Sequence, residues 1–223
     1  PAKLWIFGKD NLHLLFIKTI KRKYELTMKK ILMMLLMLPL LGVAQVKDAK
    51  YLAKDAVPVE NGRVIFTKEF EIPMNVGDIY AAVKEWANEQ YAPVKDMPNH
   101  KMISTHDEAC EVTASAEEWM VFSNRFLSLD RTRLYYKIKL NCYDKKIVAH
   151  IYDIHYWYDE EREGGVKYKA EEWITNEWGL NKKGTKLAKK SGKFRRKTID
   201  RAEEIFTNLE TFINRKAIKS IMK

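Results

Sequence analysis

Arg131–Tyr158 reads RTRLYYKIKLNC–YDKK–IVAHIYDIHYWY: two strand-like runs, Arg131–Cys142 and Ile147–Tyr158, around a polar connection of Tyr143, Asp144, Lys145 and Lys146. Both runs are rich in β-branched and aromatic residues, which suit a pleated, half-buried surface. In the first run Leu134, Tyr136, Ile138, Leu140 and Cys142 fall on one face, while Arg133, Lys137, Lys139 and Asn141 fall on the other. A period of two with one polar face predicts an antiparallel hairpin in a sheet that is wet on one side. At roughly 40 Å per strand, such a hairpin needs further strands, or a helix laid over its apolar face.

The flanking sequence supplies both. Arg63–Ile72 reads as a strand ended by Pro73. A helix is expected from Gly77-Asp78 to about Tyr91, with Asp78 near its N-cap and Ile79, Ala82, Val83, Trp86 and Ala87 as its buried stripe. Short strands are expected at Lys101–His106, Cys110–Ala114 and Glu118–Ser123. After the hairpin, Lys169–Leu180 predicts a short helix with acid in its first turn. Phe194–Ala217 predicts a long one, with Ile199, Ala202, Ile205, Phe206, Leu209, Phe212 and Ile213 on one side. The order is β-α-β(4-5)-α. It predicts an α+β domain, a curved antiparallel sheet with helices on one face.

Of the 223 residues, 46% are hydrophobic and 31% charged, the balance of a globular chain. Met28, Lys29 and Lys30 precede an apolar run, Ile31–Val43, and then Ala44-Gln45. This is the layout of a cleaved signal peptide, with the cut expected after Ala44 and Gly42 and Ala44 in its small positions. The run is short for a membrane span, and Pro39 interrupts it. The expected organisation is residues 1–27 from upstream translation, 28–44 signal peptide, 45–62 lead-in, 63–217 one domain, and 218–223 tail. A periplasmic or extracellular location follows. Eight of the 40 Lys and Arg and two of the 30 Asp and Glu precede Gln45, so the remainder carries +4 of the total +10. The basic balance therefore carries no nucleic-acid signature. Cys110 and Cys142 are expected as free thiols on strands that are not adjacent, although an oxidising compartment permits a disulfide.

The tracts Gly62–Phe70 (GRVIFTKEF), Leu127–Thr132 (LSLDRT), Ala170–Thr175 (AEEWIT) and Arg195–Phe206 (RRKTIDRAEEIF) carry a resemblance. Over residues 50–210 the chain resembles a family of secreted domains of unknown function described as having a TATA-binding-protein-like (TBP-like) fold. The resemblance implies that fold and no catalytic residues. A shared fold does not transfer DNA binding.

Two constellations are candidate sites. On the second strand of the hairpin, alternation puts Tyr152, Ile154, Tyr156 and Tyr158 on one face and His155 and Trp157 on the other. Tyr152, Tyr156, Trp157 and Tyr158 are then a candidate stacking surface for a ligand or partner. Lys182–Lys197 holds nine basic residues in sixteen: Lys182, Lys183, Lys186, Lys189, Lys190, Lys193, Arg195, Arg196 and Lys197. With no acid between Glu177 and Asp200, it is a candidate patch for an anionic glycan, other polymer or membrane surface. A solvated charged face is the plainer reading of such a run. His150 and His155 point to opposite faces of a strand, and His106-Asp107-Glu108 is a weak ligand cluster, so no metal and no cofactor are expected. No nucleophile elbow, HExxH, paired-cysteine metal spacing or phosphate loop occurs. The sequence therefore predicts a binding domain rather than an enzyme, with an enzyme of unrecognised type as the last-ranked alternative. A small ligand, an envelope protein or an anionic glycan is the expected partner, and nucleic acid is not.

Overall fold

The computed structural model describes residue 29, residues 49–126 and residues 128–221. The expected signal peptide and the upstream 27 residues lie outside these, apart from Lys29. From Tyr51 onward the described chain forms one compact unit. Its elements are β1 (Val59–Glu60), β2 (Arg63–Val64), β3 (Phe66–Glu71), α1 (Val76–Gln90), β4 (Lys101–His106), β5 (Glu111–Arg125), β6 (Ser128–Tyr143), β7 (Lys146–Tyr158) and β8 (Val166–Lys169). A 3₁₀ turn (Ala170–Glu172), α2 (Asn176–Gly179) and α3 (Gly192–Ile221) complete it.

β6 and β7 pair as the antiparallel hairpin that the alternation predicts. Their connection is tighter than expected: Tyr143 pairs with Lys146, leaving a two-residue turn in which Lys145 takes φ +56°. The main sheet runs β3-β7-β6-β5-β4, every pairing antiparallel. β3 covers the first half of β7 and β8 the second, so two short strands share one margin of the sheet. Residues 152–154 lie between them.

Cys110–Ala114 and Glu118–Ser123 are not separate strands. Apart from Cys110, which lies in the preceding turn, they are parts of the continuous β5, which pairs with β6 from Glu111↔Asn141 to Arg125↔Ser128. The intervening Ser115, Ala116 and Glu117 have weak strand propensity, and pairing along β6 overrides it. Likewise, Lys169–Leu180 is not one helix but β8's end, a 3₁₀ turn and the four-residue α2. From Tyr51 on, the expected lead-in is part of the body, since Tyr51 and Val57 are buried and β1 pairs with β2.

α1 and α3 lie on one face of the sheet. α1 is capped by Asn75, whose side chain accepts from the Asp78 amide; the cap is three residues before the expected one. Its Ile79, Ala82, Val83, Trp86 and Ala87 are buried, as their spacing predicts. α3 buries Ile199, Ala202, Ile205, Phe206, Leu209 and Ile213 against Leu134, Tyr136, Ile138 and Leu140 of β6 and Ile147, Ala149 and Ile151 of β7. Few polar groups enter this layer, and two pairs join its elements. Trp86 Nε1 donates to Asn208 across the two helices at 2.7 Å. Arg201 grips Glu118 bidentately at 2.7 and 2.9 Å. Among the described residues, no helix packs on the other face of the sheet.

Candidate functional site

β7 contains one residue more than its partner. Lys137 pairs with Tyr152 and Tyr135 with His155, so Asp153 and Ile154 together oppose Tyr136. The extra residue makes a β-bulge at Asp153, whose φ is +55°. Asp is one of the few non-glycine residues that enter this region readily. The bulge resets the alternation. Before it, Ile147, Ala149 and Ile151 face the helices; after it, Ile154 and Tyr156 do.

The aromatic quartet predicted from unbroken alternation is therefore divided. Tyr156 is fully buried, its hydroxyl 2.7 Å from Thr198 Oγ1 on α3. Burial pushes its phenol well up. Tyr158 packs at the edge of the core against Phe122 and Phe194 and donates to Asp130 at 2.9 Å. Tyr152 turns to the open face and lies on the same side as His155 and Trp157, opposite to the expectation.

Two adjoining hollows of ≈520 and ≈830 Å3 follow this open face on either side of the bulge, sharing Lys137, Asp153, His155 and Lys167. Tyr135 and Trp157 line the first, and Tyr152, Tyr168 and Arg63 the second. The volumes are those of small-ligand sites. Tyr135 stacks on His155 with centroids 4.8 Å apart and planes within 5°. Lys167 Nζ lies 5.2 Å from the Trp157 ring centre, and the Trp157 indole N–H donates to Gly164 O at 2.8 Å. Lys137 and Asp153 form an ion pair at 2.8 Å. The Lys137 hydrogen bond holds the Asp153 carboxyl below its ordinary value.

One end of this groove is fixed by Glu117, which is 3% exposed. It accepts from Arg133 (2.7 Å), Tyr135 (3.2 Å) and both the backbone and side-chain amides of Asn99 (3.1 and 2.9 Å). Burial alone would raise its carboxyl, but these donors outweigh it and hold it below the usual range. Arg133 also takes Glu160 at 2.8 Å, so β5, β6, the turn after β7 and the segment before β4 meet at one ion cluster. Sequence reading missed Tyr135, Lys137, Asp153 and Lys167. Tyr135 had a signal, as an aromatic at a polar-face position between Arg133 and Lys137.

The structure also divides the basic tract. Lys182, Lys183, Lys186, Lys189, Lys190, Arg196 and Lys197 are exposed. Arg195 is not: it is 0% exposed and donates to Tyr51 O (2.7 Å), Ile174 O (2.8 Å) and Ala53 O (3.0 Å). Desolvation lowers its pKa. Lys193 is half-buried, bound to Asp130 at 2.7 Å and to Tyr158. Arg195 and Lys193 thus hold the start of α3 in place. Among the described residues no cluster of three or more His, Cys, Asp or Glu is arranged to hold a metal. No helix there is long and apolar enough to cross a membrane.

These elements define an α+β domain of TBP-like fold, an antiparallel sheet with helices on one face. A family model described as "Domain of unknown function (DUF4468) with TBP-like fold" matches residues 66–157. A crystal structure of a DUF4468 family protein from Bacteroides ovatus is similar, with 36% identity and TM-score 0.68, over 74% of this chain and 94% of that one. A TBP-like protein from Parabacteroides distasonis shares the fold at 23% identity and TM-score 0.58, over 71% and 97%. No curated protein matches. The chain belongs to the DUF4468 family.

Proposed function

We propose that this is an exported, non-catalytic binding domain whose open-face groove around Asp153 takes a small ligand with a flat ring and a negative charge. The observation that carries the reading is the juxtaposition of Tyr135, His155 and Trp157 with Lys137 and Lys167 along one hollow surface. Aromatic faces offer stacking area, and the lysines offer charge-assisted hydrogen bonds. The ionisable side chains of the groove pair chiefly with one another, as Lys137 does with Asp153 and Glu117 with Arg133. That arrangement suits holding a ligand rather than moving protons. The apolar run Ile31–Val43 supports export.

The test is the native mass of the full chain, produced in a bacterial host and purified gently. A co-purifying small molecule that is lost from Trp157→Ala and Tyr135→Ala variants is the expected result. Retention of the same molecule by both variants would exclude the groove.

A second reading rests on the exposed lysines of 182–197 and assigns that surface to an anionic polymer. Heparin is a suitable probe: binding should weaken steeply with salt and be lost on neutralising Lys182, Lys183, Lys186, Lys189, Lys190 and Lys197. Lys193 and Arg195 are left intact in that variant, because their removal would disturb α3.

A further inference from the structure

The two cysteines are neighbours, one in the turn before β5 and one in the adjacent β6. Cys110 immediately precedes β5, and Cys142 lies in β6, one step beyond the Glu111↔Asn141 pair. The amide of Cys142 donates to Cys110 O at 3.0 Å. This corrects the expectation that they sit on strands that are not adjacent. Both are free thiols here.

The β5–β6 register, continued one step past Glu111↔Asn141, sets Cys110 opposite Cys142. Only one of the two bonds of a hydrogen-bonded pair forms there, because the Cys110 amide donates to Asp107 O at 3.3 Å. Opposite residues of an antiparallel ladder have Cα atoms about 4.5–5.5 Å apart. That spacing lies inside the window a disulfide spans, about 4.4–6.8 Å. Both belong to the helix-covered side: Cys142 is part of the buried core, and Cys110 packs against it, half-buried. We propose that Cys110 and Cys142 are a redox-active pair that closes to a cross-strand disulfide by exchange with a small-molecule or protein disulfide.

The two sulfurs are unequal, and this sets the order of events. Cys110 is the more accessible, at a turn where its own φ is +49° and its Sγ lies 3.5 Å from Asp107 O. Cys142 is buried, and desolvation pushes its thiol up to about 12. The Cys110 thiolate attacks the incoming disulfide, forming a mixed disulfide and releasing one thiolate. Cys142 then loses its proton and attacks the Cys110 sulfur, expelling the second thiolate. Two protein thiols are oxidised, one disulfide is reduced to two thiols, and both protons go to the departing sulfurs. The bond ties the turn before β5 to β6. That turn already reaches α1, where Asp107 accepts from Tyr80 (2.7 Å) and Lys84 (3.1 Å).

The experiment treats the folded full chain with oxidised glutathione and reads thiol count, intact mass and the cross-linked peptide after digestion. The expected product has lost both thiols and two hydrogens, carries a Cys110–Cys142 link, melts higher than the reduced form, and reverts with dithiothreitol. The Cys142→Ser variant should stop at a glutathione adduct on Cys110. Cys110→Ser should leave Cys142 unreactive until the protein unfolds. A wild-type chain that stops at the Cys110 adduct, or keeps both thiols until denaturant is added, would overturn the proposal. So would a link found only between two copies of the chain.

Discussion

The two faces of this sheet solve opposite problems with the same strands. On the helix-covered face, β6 and β7 present aliphatic and aromatic side chains, and polar side chains pair across the layer, as in Tyr156–Thr198 and Glu118–Arg201. On the open face, the positions between them carry Glu117, Arg133, Tyr135, Lys137, His155 and Trp157, with Glu117–Arg133, Lys137–Asp153 and Tyr135–His155 as pairs. The first face holds the fold together, and the second is free to be specialised. The bulge at Asp153 resets β7, since with Tyr152 facing outward it turns Ile154 and Tyr156 inward.

The sharpest way to break this contrast is to exchange one tryptophan on each face for alanine. Trp86, 1% exposed, should cost about 4 kcal/mol in urea denaturation, through lost burial and a cavity. Trp157 should change stability by less than about 0.5 kcal/mol while removing ligand uptake. Comparable losses at both positions would mean that the open face is a second core. Arg195→Met should cost about 3 kcal/mol, because three carbonyls lose its guanidinium, of which Ala53 O keeps the Ala56 amide. An effect near zero would make Arg195 part of the basic surface after all.

Glu117 tests the one place where the open face resembles a core. Glu117→Gln should cost about 2 kcal/mol at neutral pH. Its folded carboxyl sits below the ordinary 4.5, so its contribution is full above that value and is lost as pH falls through the lower, folded one. The variant should therefore show a shallower loss of stability in acid than the parent. At Asp153, substitution by valine should cost about 1–2 kcal/mol, since a β-branched residue is strained at positive φ. Glycine there should be close to neutral, because the Lys137 ion pair it loses is half-exposed and screened. If valine is tolerated, positive φ at Asp153 is not what turns Ile154 and Tyr156 inward.

Most of the helix-covered face was legible in the sequence, because burial writes itself as period. The stripes of α1 and α3 and the even-numbered face of β6 were all readable as spacing. The open face was harder. Asp153 looks like any polar residue in a strand, and only the pairing of Lys137 with Tyr152 and of Tyr135 with His155 reveals an extra residue. Arg195 sits in a run of lysines, while the carbonyls that bury it come from Tyr51, Ala53 and Ile174, far away along the chain. β5 was read as two strands because Ser115-Ala116-Glu117 is locally indifferent to β structure. In each case the deciding partner is distant in sequence.

The shared margin of β7 has a colloidal consequence. Long strands beside unsatisfied backbone groups invite a second copy to add itself edge to edge. Here one border is divided between β3 and β8, six and four residues long, with Lys68, Glu69 and Glu71 exposed on the longer piece. The other border, β4, is interrupted by a register shift at Ile103. Neither offers a straight, uncharged row on which a neighbouring sheet could grow, so the long central hairpin is kept for its own molecule.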